Sequence, residues 1–376
     1  MKVYLDNAAS TAIYPEVIEL MHNLMKDTFG NPSSTHDYGR KSKVIIEESR
    51  SKIANILNTN PGSIFFTSSG TEGDNMAINS TVLDYNIPHA ITSPLSHHAV
   101  LYPLQDLANK DKIKLSYVEF DNNGMINLDN LDKLLKENNK SFVSIMHANN
   151  EIGTIQPLQD IGRVCKNYNA IFHSDTVQTI GHFQFDMQKV NLDILVASAH
   201  KFHGPKGVGF IYINNDLKIS PFLKGGGQER NMRSGTENLY GIAGLAKAME
   251  LSYRDLEKDM KYIKGLKLYM IENLKKYIPS VDFYGNCLDL ENSLYTVLNV
   301  SFPEIENTEM LLFNLDIMGI ACSSGSACSS GTIKKSHVIE SLDPYSNRTS
   351  LRFSFSKYNT KSEIDYVVKK LQELFC

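Results

Sequence analysis

The chain has 376 residues, 42% of them hydrophobic and 21% charged, the composition of an ordinary globular protein at a length beyond what one hydrophobic core usually fills. Its 38 Lys and Arg against 42 Asp and Glu give a net charge of −4. With no long run of one sign, that balance excludes nucleic acid as the main ligand. No apolar stretch is long enough to span a bilayer, and the opening "MKVYLDNAAS" meets an Asp at position 6 instead of an apolar run. The expectation is a cytoplasmic protein with no membrane contact. Cys165, Cys287, Cys322, Cys328 and Cys376 form no CxxC pair and are odd in number, which suits neither a disulfide framework nor a structural zinc site.

In chain order, the first 60 residues give two helical patterns around the turn-rich "FGNPSSTHDYG". From about residue 60 to 215, short β-rich runs alternate with helical ones: "SIFFTSS", "HAITSPL", "KLSYVEF", "SFVSIMHA", "AIFHSDT", "LDILVASA" and "GVGFIYI" are the strands. Such alternation predicts an α/β domain with a mainly parallel sheet covered by helices on both faces. A long helical pattern from Leu239 to about Ile278 follows. Then "YTVLNVSF", "NTEMLLFNLDIMG", "SLRFSFS" and "SEIDYVVKKLQELF" read as a smaller α+β unit. The expected division is a large domain over 1–250 and a small one over 251–376, with residues 1–15 packing against the small domain.

In open α/β sheets the ligand sits beyond the carboxyl ends of the strands. After "SIFFT" come Ser68, Ser69, Gly70 and Thr71 and then a helix, an arrangement that aims backbone N–H groups and hydroxyls at an anion such as a phosphate. The other strands end in His97 and His98, in Asn149 and Asn150, in Asp175 with Gln178 beyond it, and in Ser198, His200 and Lys201. Taken singly, each has a commoner role as a cap, a turn former or a satisfied polar group. Together they place a lysine, an acid, an imidazole and an anion cradle on one rim. Pyridoxal phosphate needs that set: an amine for a Schiff base, an acid opposite the ring nitrogen, and a phosphate site. Lys201 and Asp175 are the candidates. No metal is expected, because His97–His98 and His200-x-x-His203 lack further ligands at recognisable spacing.

The sequence resembles the cysteine desulfurases of the class V aminotransferase group of pyridoxal-phosphate enzymes. The resemblance runs in order through "YLDNAAS" (4–10), "FGNPSS" (29–34), "FTSSGTEGDN" (66–75), "MHANNEIGTIQP" (146–157), "HSDTVQTIG" (173–181), "SAHKFHGPKGVG" (198–209), "GGGQERNMRSGTEN" (225–238), "SSGSAC" (323–328) and "LRFSFS" (351–356). The "SSGSAC" form is similar to the group with a long cysteine loop. The fold implied is that of the PLP-dependent transferases, α/β, with a large domain and a smaller α+β one. The resemblance implies that Lys201 carries the cofactor, Asp175 pairs with its ring nitrogen, His97 stacks on the ring and relays protons, and Gln178 bonds its phenolic oxygen. Ser69, Gly70, Thr71, Ser198 and His200 would hold the phosphate, joined by Thr236 of a neighbouring subunit in a homodimer. Asn7, Asn150 and Arg352 would bind the substrate, L-cysteine, with its carboxylate on the arginine fork. The family often carries an acidic residue before the stacking histidine. Here Ser96 stands there and His98 follows, a candidate to share the relay.

The stretch "CSSGSACSSGT" (322–332) contains Cys-Ser-Ser-Gly twice, so composition alone does not choose between its two thiols. The resemblance chooses Cys328 as the nucleophile that takes sulfur as a persulfide and passes it to an acceptor such as an iron–sulfur cluster scaffold. Ser, Gly and Ala around it suit a thiol that must serve both a pocket and an outside acceptor. Cys322, after the apolar "DIMGIA", reads as a small buried hydrophobe, with a persulfide relay as its alternative role. Cys165 and Cys287 read as structural. Competing readings are a selenocysteine lyase or another PLP-dependent sulfur lyase, and a non-catalytic sulfur-transfer scaffold.

Overall fold

The computed structural model describes residues 1–304, 310–324 and 336–375. Its main sheet has seven strands in the order Ile64–Thr67, Gly209–Ile213, Ile194–Ser198, Ile171–Asp175, Ser141–Ser144, His89–Thr92 and Lys114–Tyr117. All neighbours pair in parallel except Gly209–Ile213, which runs antiparallel to both strands beside it. Five of the inner strands are buried at every residue except Ile171, the pattern of a sheet covered on both faces. One face packs under the helices Pro15–Asp27, Asp37–Ile56 and Leu239–Arg254 through Val17, Ile53, Phe172, Leu195 and Leu245. The other carries Gly70–Asp84 and His98–Asn109, whose Ile78, Ala77, Val100 and Leu104 meet Phe142, Ala90 and Val196.

A second sheet is antiparallel and three-stranded, in the order Thr349–Ser354, Val297–Phe302 and Asp282–Phe283. Helices Leu256–Tyr277 and Lys361–Phe375 cover it through Leu266, Met270, Val367 and Leu371, which pack on Leu298 and Phe353. Val3 and Leu5 belong to this second core, because Val3–Tyr4 pairs in parallel with Ile320–Ala321. The long helical pattern near residue 250 proves to be two helices. Leu239–Arg254 ends and Leu256–Tyr277 begins around Asp255, whose φ of −103° and ψ of 9° leave the helical range.

Candidate active site

Each of the strand ends on the rim feeds a short segment that fixes its own polar group. Ser69 caps the helix Gly70–Asp84, its Oγ accepting from Glu72 N at 3.2 Å, while Ser69 O accepts from Gly73 N. The first N–H groups of the helix, at Gly70 and Thr71, are left without an intrahelical acceptor. A side chain at position 70 would close this cradle, since a Cβ there would stand 2.6 Å from Val177 Cγ2. His97 caps the helix His98–Asn109 by accepting from Ala99 N through Nδ1 at 3.1 Å, which places the proton of the neutral ring on Nε2. Asp175 closes its strand and accepts from Val177 N at 2.9 Å. Lys201 leaves the strand Ile194–Ser198 through one 3₁₀ turn and donates from Nζ to Ala8 O and Ala9 O at 2.6 and 2.9 Å.

These groups share one cavity of about 230 Å³, bounded also by Asn150, Gln178, Ser198, His200 and Arg352. Arg352 arrives from the second sheet and is 2% exposed. Its Nη2 donates to Asp6 Oδ1 at 2.8 Å and its Nη1 to Asn150 O at 3.0 Å, while Nε is buried with no hydrogen-bond partner among the described residues. The same Asp6 oxygen accepts from Ser323 Oγ at 2.8 Å, and Ser323 exchanges backbone hydrogen bonds with Arg352. Arg352 lines the cavity with its guanidinium fixed through two nitrogens, a planar cation suited to receiving a carboxylate.

Burial governs the charges. It pushes the His97 ring down to about 4, with Lys201 adding to the shift, and likewise His200 to about 4. Both rings are therefore neutral near pH 7 and able to donate or accept a proton. Burial raises the Asp175 carboxyl to about 6 against the opposing pull of Val177 N–H and Lys201. Near pH 7 it is therefore largely ionised, and a cation facing it would favour the charged form further. The donor set fits the pyridoxal phosphate that the resemblance implies: an open helix end with Ser198 and His200 for the phosphate, Asp175 for a ring nitrogen, His97 for a ring face, and Lys201.

Two of the expected site residues stand elsewhere. Asn7, expected at the substrate, is not among the residues that line this cavity. Its amide donates to Ser354 O at 2.8 Å and meets Asn359, which stitches the N-terminal segment to the second sheet, and Ala8 and Ala9 line the cavity in its place. Thr236 opens instead on a separate cavity of about 130 Å³, with Ser68, Arg233 and Glu237. His98, the candidate for a shared relay, stacks on Tyr102 at 4.6 Å and lies 4.5 Å from the His337 ring, outside the cavity wall. Cys328 lies outside the described residues. The Cys322 thiol is pushed up to about 12 by burial and by Asp6, so it stays protonated.

Asp6, Asp74, Val177 and His173 were not singled out from the sequence. Two of them left a signal: Asp74 lies one helical turn after Gly70, and His173 alternates with Asp175 on one face of a strand.

A family model described as Aminotransferase class-V matches residues 3–367. The chain is 41% identical to a protein named cysteine desulfurase IscS from Dictyoglomus turgidum, over 99% of this chain and 94% of the relative. It is 38% identical to a putative cysteine desulfurase IscS 1 from Bacillus subtilis, over 99% and 98%. Among solved structures, a NifS-like protein superposes with a TM-score of 0.91 at 38% identity, over 99% of both chains. The apo structure of a cysteine desulfurase from Thermococcus onnurineus gives 0.89 at 26%, over 100% and 94%.

Proposed function

This chain belongs to the class-V aminotransferase family, in its cysteine desulfurase branch, and from that premise we propose that it moves sulfur from L-cysteine onto Cys328 and releases L-alanine. It is a pyridoxal-phosphate-dependent enzyme. The observation that carries the reading is that Lys201, Asp175, His97 and the buried Arg352 line one cavity. When bound, pyridoxal phosphate supplies an electron sink that acidifies the α-proton of an amino acid. Ser69, Gly70, Thr71, Ser198 and His200 would hold its phosphate, Asp175 would supply the negative charge for its ring nitrogen, and Gln178 would bond its phenolic oxygen. Arg352, held by Asp6, receives the substrate carboxylate beside Asn150. Lys201 takes the α-proton, and His97 holds a proton on Nε2 toward the ring face. The Cys328 thiolate then forms the S–S bond as the substrate's C–S bond breaks. The electron pair stays on the substrate carbon, where a proton completes alanine.

Two identical subunits make the working unit in this reading, with Thr236 crossing to the partner's phosphate site. Its place in a second cavity of its own chain supports that role. The receiving partner is a sulfur-acceptor protein such as an iron–sulfur cluster scaffold. The two separate cores support the division into 1–250 and 251–376. Among the described residues no helix is long and apolar enough to cross a membrane, and Cys165, Cys287 and Cys322 are free thiols, which favours a reducing cytoplasm.

The test is alanine and sulfide release from L-cysteine with a reductant, for wild type, Cys328→Ala and Cys322→Ala, each checked for the visible absorbance of bound cofactor. Turnover lost in Cys328→Ala alone is the expected result. Sulfide release at the wild-type rate without Cys328 would instead make the protein a PLP-dependent lyase, the class to which selenocysteine lyases belong.

A further inference from the structure

The wall of the same cavity holds, besides Asp175, a second carboxylate that the reaction above does not use. Asp74, on the helix Gly70–Asp84, is 1% exposed, and its Oδ1 has no hydrogen-bond partner among the described residues. It stands 3.3 Å from Nε2 of His173, which is fully buried and likewise lacks a partner at that atom. The other ring nitrogen, Nδ1, is 2.9 Å from Ser144 Oγ on the adjoining strand. His173 and Asp175 are two residues apart on one strand, so both project from the same face of the sheet.

A fully buried carboxyl with an orphan oxygen is costly as an anion. Here it is doubly so, because a second buried carboxylate acts on it. Burial first, and then the charge of Asp175, raise the Asp74 carboxyl well above its usual range. Burial also pushes the His173 ring down to about 3. With His173 neutral, one proton remains to be placed between the two orphan atoms. The two atoms stand 3.3 Å apart, and an ionised Asp74 there would put a second buried anion beside Asp175. A carboxylic O–H can turn toward the ring nitrogen.

We propose that Asp74 is a neutral carboxylic acid that donates to His173 Nε2, that His173 carries its own proton on Nδ1 toward Ser144, and that Asp175 is thereby the only full negative charge on this side of the cavity. Asp74 and His173 are then positioning residues: they hold the proton that would otherwise settle on Asp175 and cancel the charge meant for the cofactor's ring nitrogen. The inference rests on the reading of Asp175 as the partner of that nitrogen.

Infrared spectra of the holoenzyme, prepared with ¹³C-labelled aspartate and compared with unlabelled protein near pH 7, test it. The expected result is an isotope-shifted carbonyl band of a protonated carboxyl, absent from Asp74→Asn. Nitrogen-15 NMR of the histidine rings should show His173 as the Nδ1–H form. Because asparagine resembles the neutral acid, Asp74→Asn should keep cofactor affinity within about threefold of wild type, at most the worth of one neutral hydrogen bond. No labelled carboxyl band in wild type, or an Nε2–H ring at His173, overturns the assignment whether or not the variant folds. These spectra are independent of Cys328, so a failed desulfurase assay and a failed proton assignment are distinguishable.

Discussion

The cavity has two walls that hold their charged groups in different ways. On the wall supplied by the seven-stranded sheet, three groups are fastened by their own neighbourhoods: Ser69 by Glu72, His97 by Ala99, Asp175 by Val177. On the wall supplied by the second sheet, Arg352 is fastened by Asp6 and Asn150, which lie 346 and 202 residues away in sequence. Those three groups of the first wall need only a strand end and the turn after it, and Lys201 alone among the groups named there reaches back to Ala8 and Ala9. The second exists only when the N-terminal segment, the 146–157 loop and the strand Thr349–Ser354 are assembled together. The first also holds its imidazoles neutral by burial, whereas the second keeps a permanent cation.

That contrast can be broken from either side. The largest effect should come from acid, which acts on His97 of the first wall and on other buried imidazoles of the fold. Burial sets His97, His147, His182 and His203 at about 4 and His173 at about 3 in the folded chain, against about 6.5 when unfolded. The unfolded chain thus binds more protons in this window. Stability is full above about pH 6.5 and is lost as pH falls toward 4. Urea midpoints measured at intervals from pH 7.5 to 4.5 should drop steadily, and a flat profile would show that these rings gain no charge on unfolding. Next is Asp175→Asn. A contact ion pair at an effective dielectric of 20 is worth about 4 kcal/mol, so kcat/KM should fall by about a thousandfold, with weaker cofactor retention on gel filtration. The smallest effect belongs to the second wall. Arg352→Lys keeps the charge but loses the planar fork, and KM for L-cysteine should rise by about 10- to 100-fold, the worth of one charge-assisted bond, with kcat changed much less. An equal loss in kcat would mean that Arg352 orients the reacting atoms as well as the carboxylate.

The same division explains what could be read from the sequence. Lys201, Asp175, His97 and the Ser69–Thr71 cradle were legible because each closes an apolar run, and a strand end is a local pattern. The α/β alternation was legible for the same reason. Periodicity carries no direction, however, so the antiparallel course of Gly209–Ile213 could not be read. The break at Asp255 was hidden because two amphipathic helices in succession look like one. Arg352 entered through the family resemblance alone, Asn150 stood at a strand end but took its substrate role from that resemblance, and nothing in either segment announces Asp6 as the partner. Asn7 shows the converse case: a residue within a matching motif whose amide is engaged by the second sheet, a long-range contact that no local pattern announces. Asp74 was obscured because a helix buried on most sides shows no polar face against which one inward acid stands out.

The clamp at Ser323 has a consequence for distance. Its hydroxyl is bound to Asp6 and its backbone to Arg352, and Cys328 follows it by five residues. Five extended residues span at most about 17 Å, so in the proposed reaction chain length alone limits how far from this clamp the sulfur could be handed over, and an acceptor protein would have to come to the neighbourhood of Ser323 to collect it.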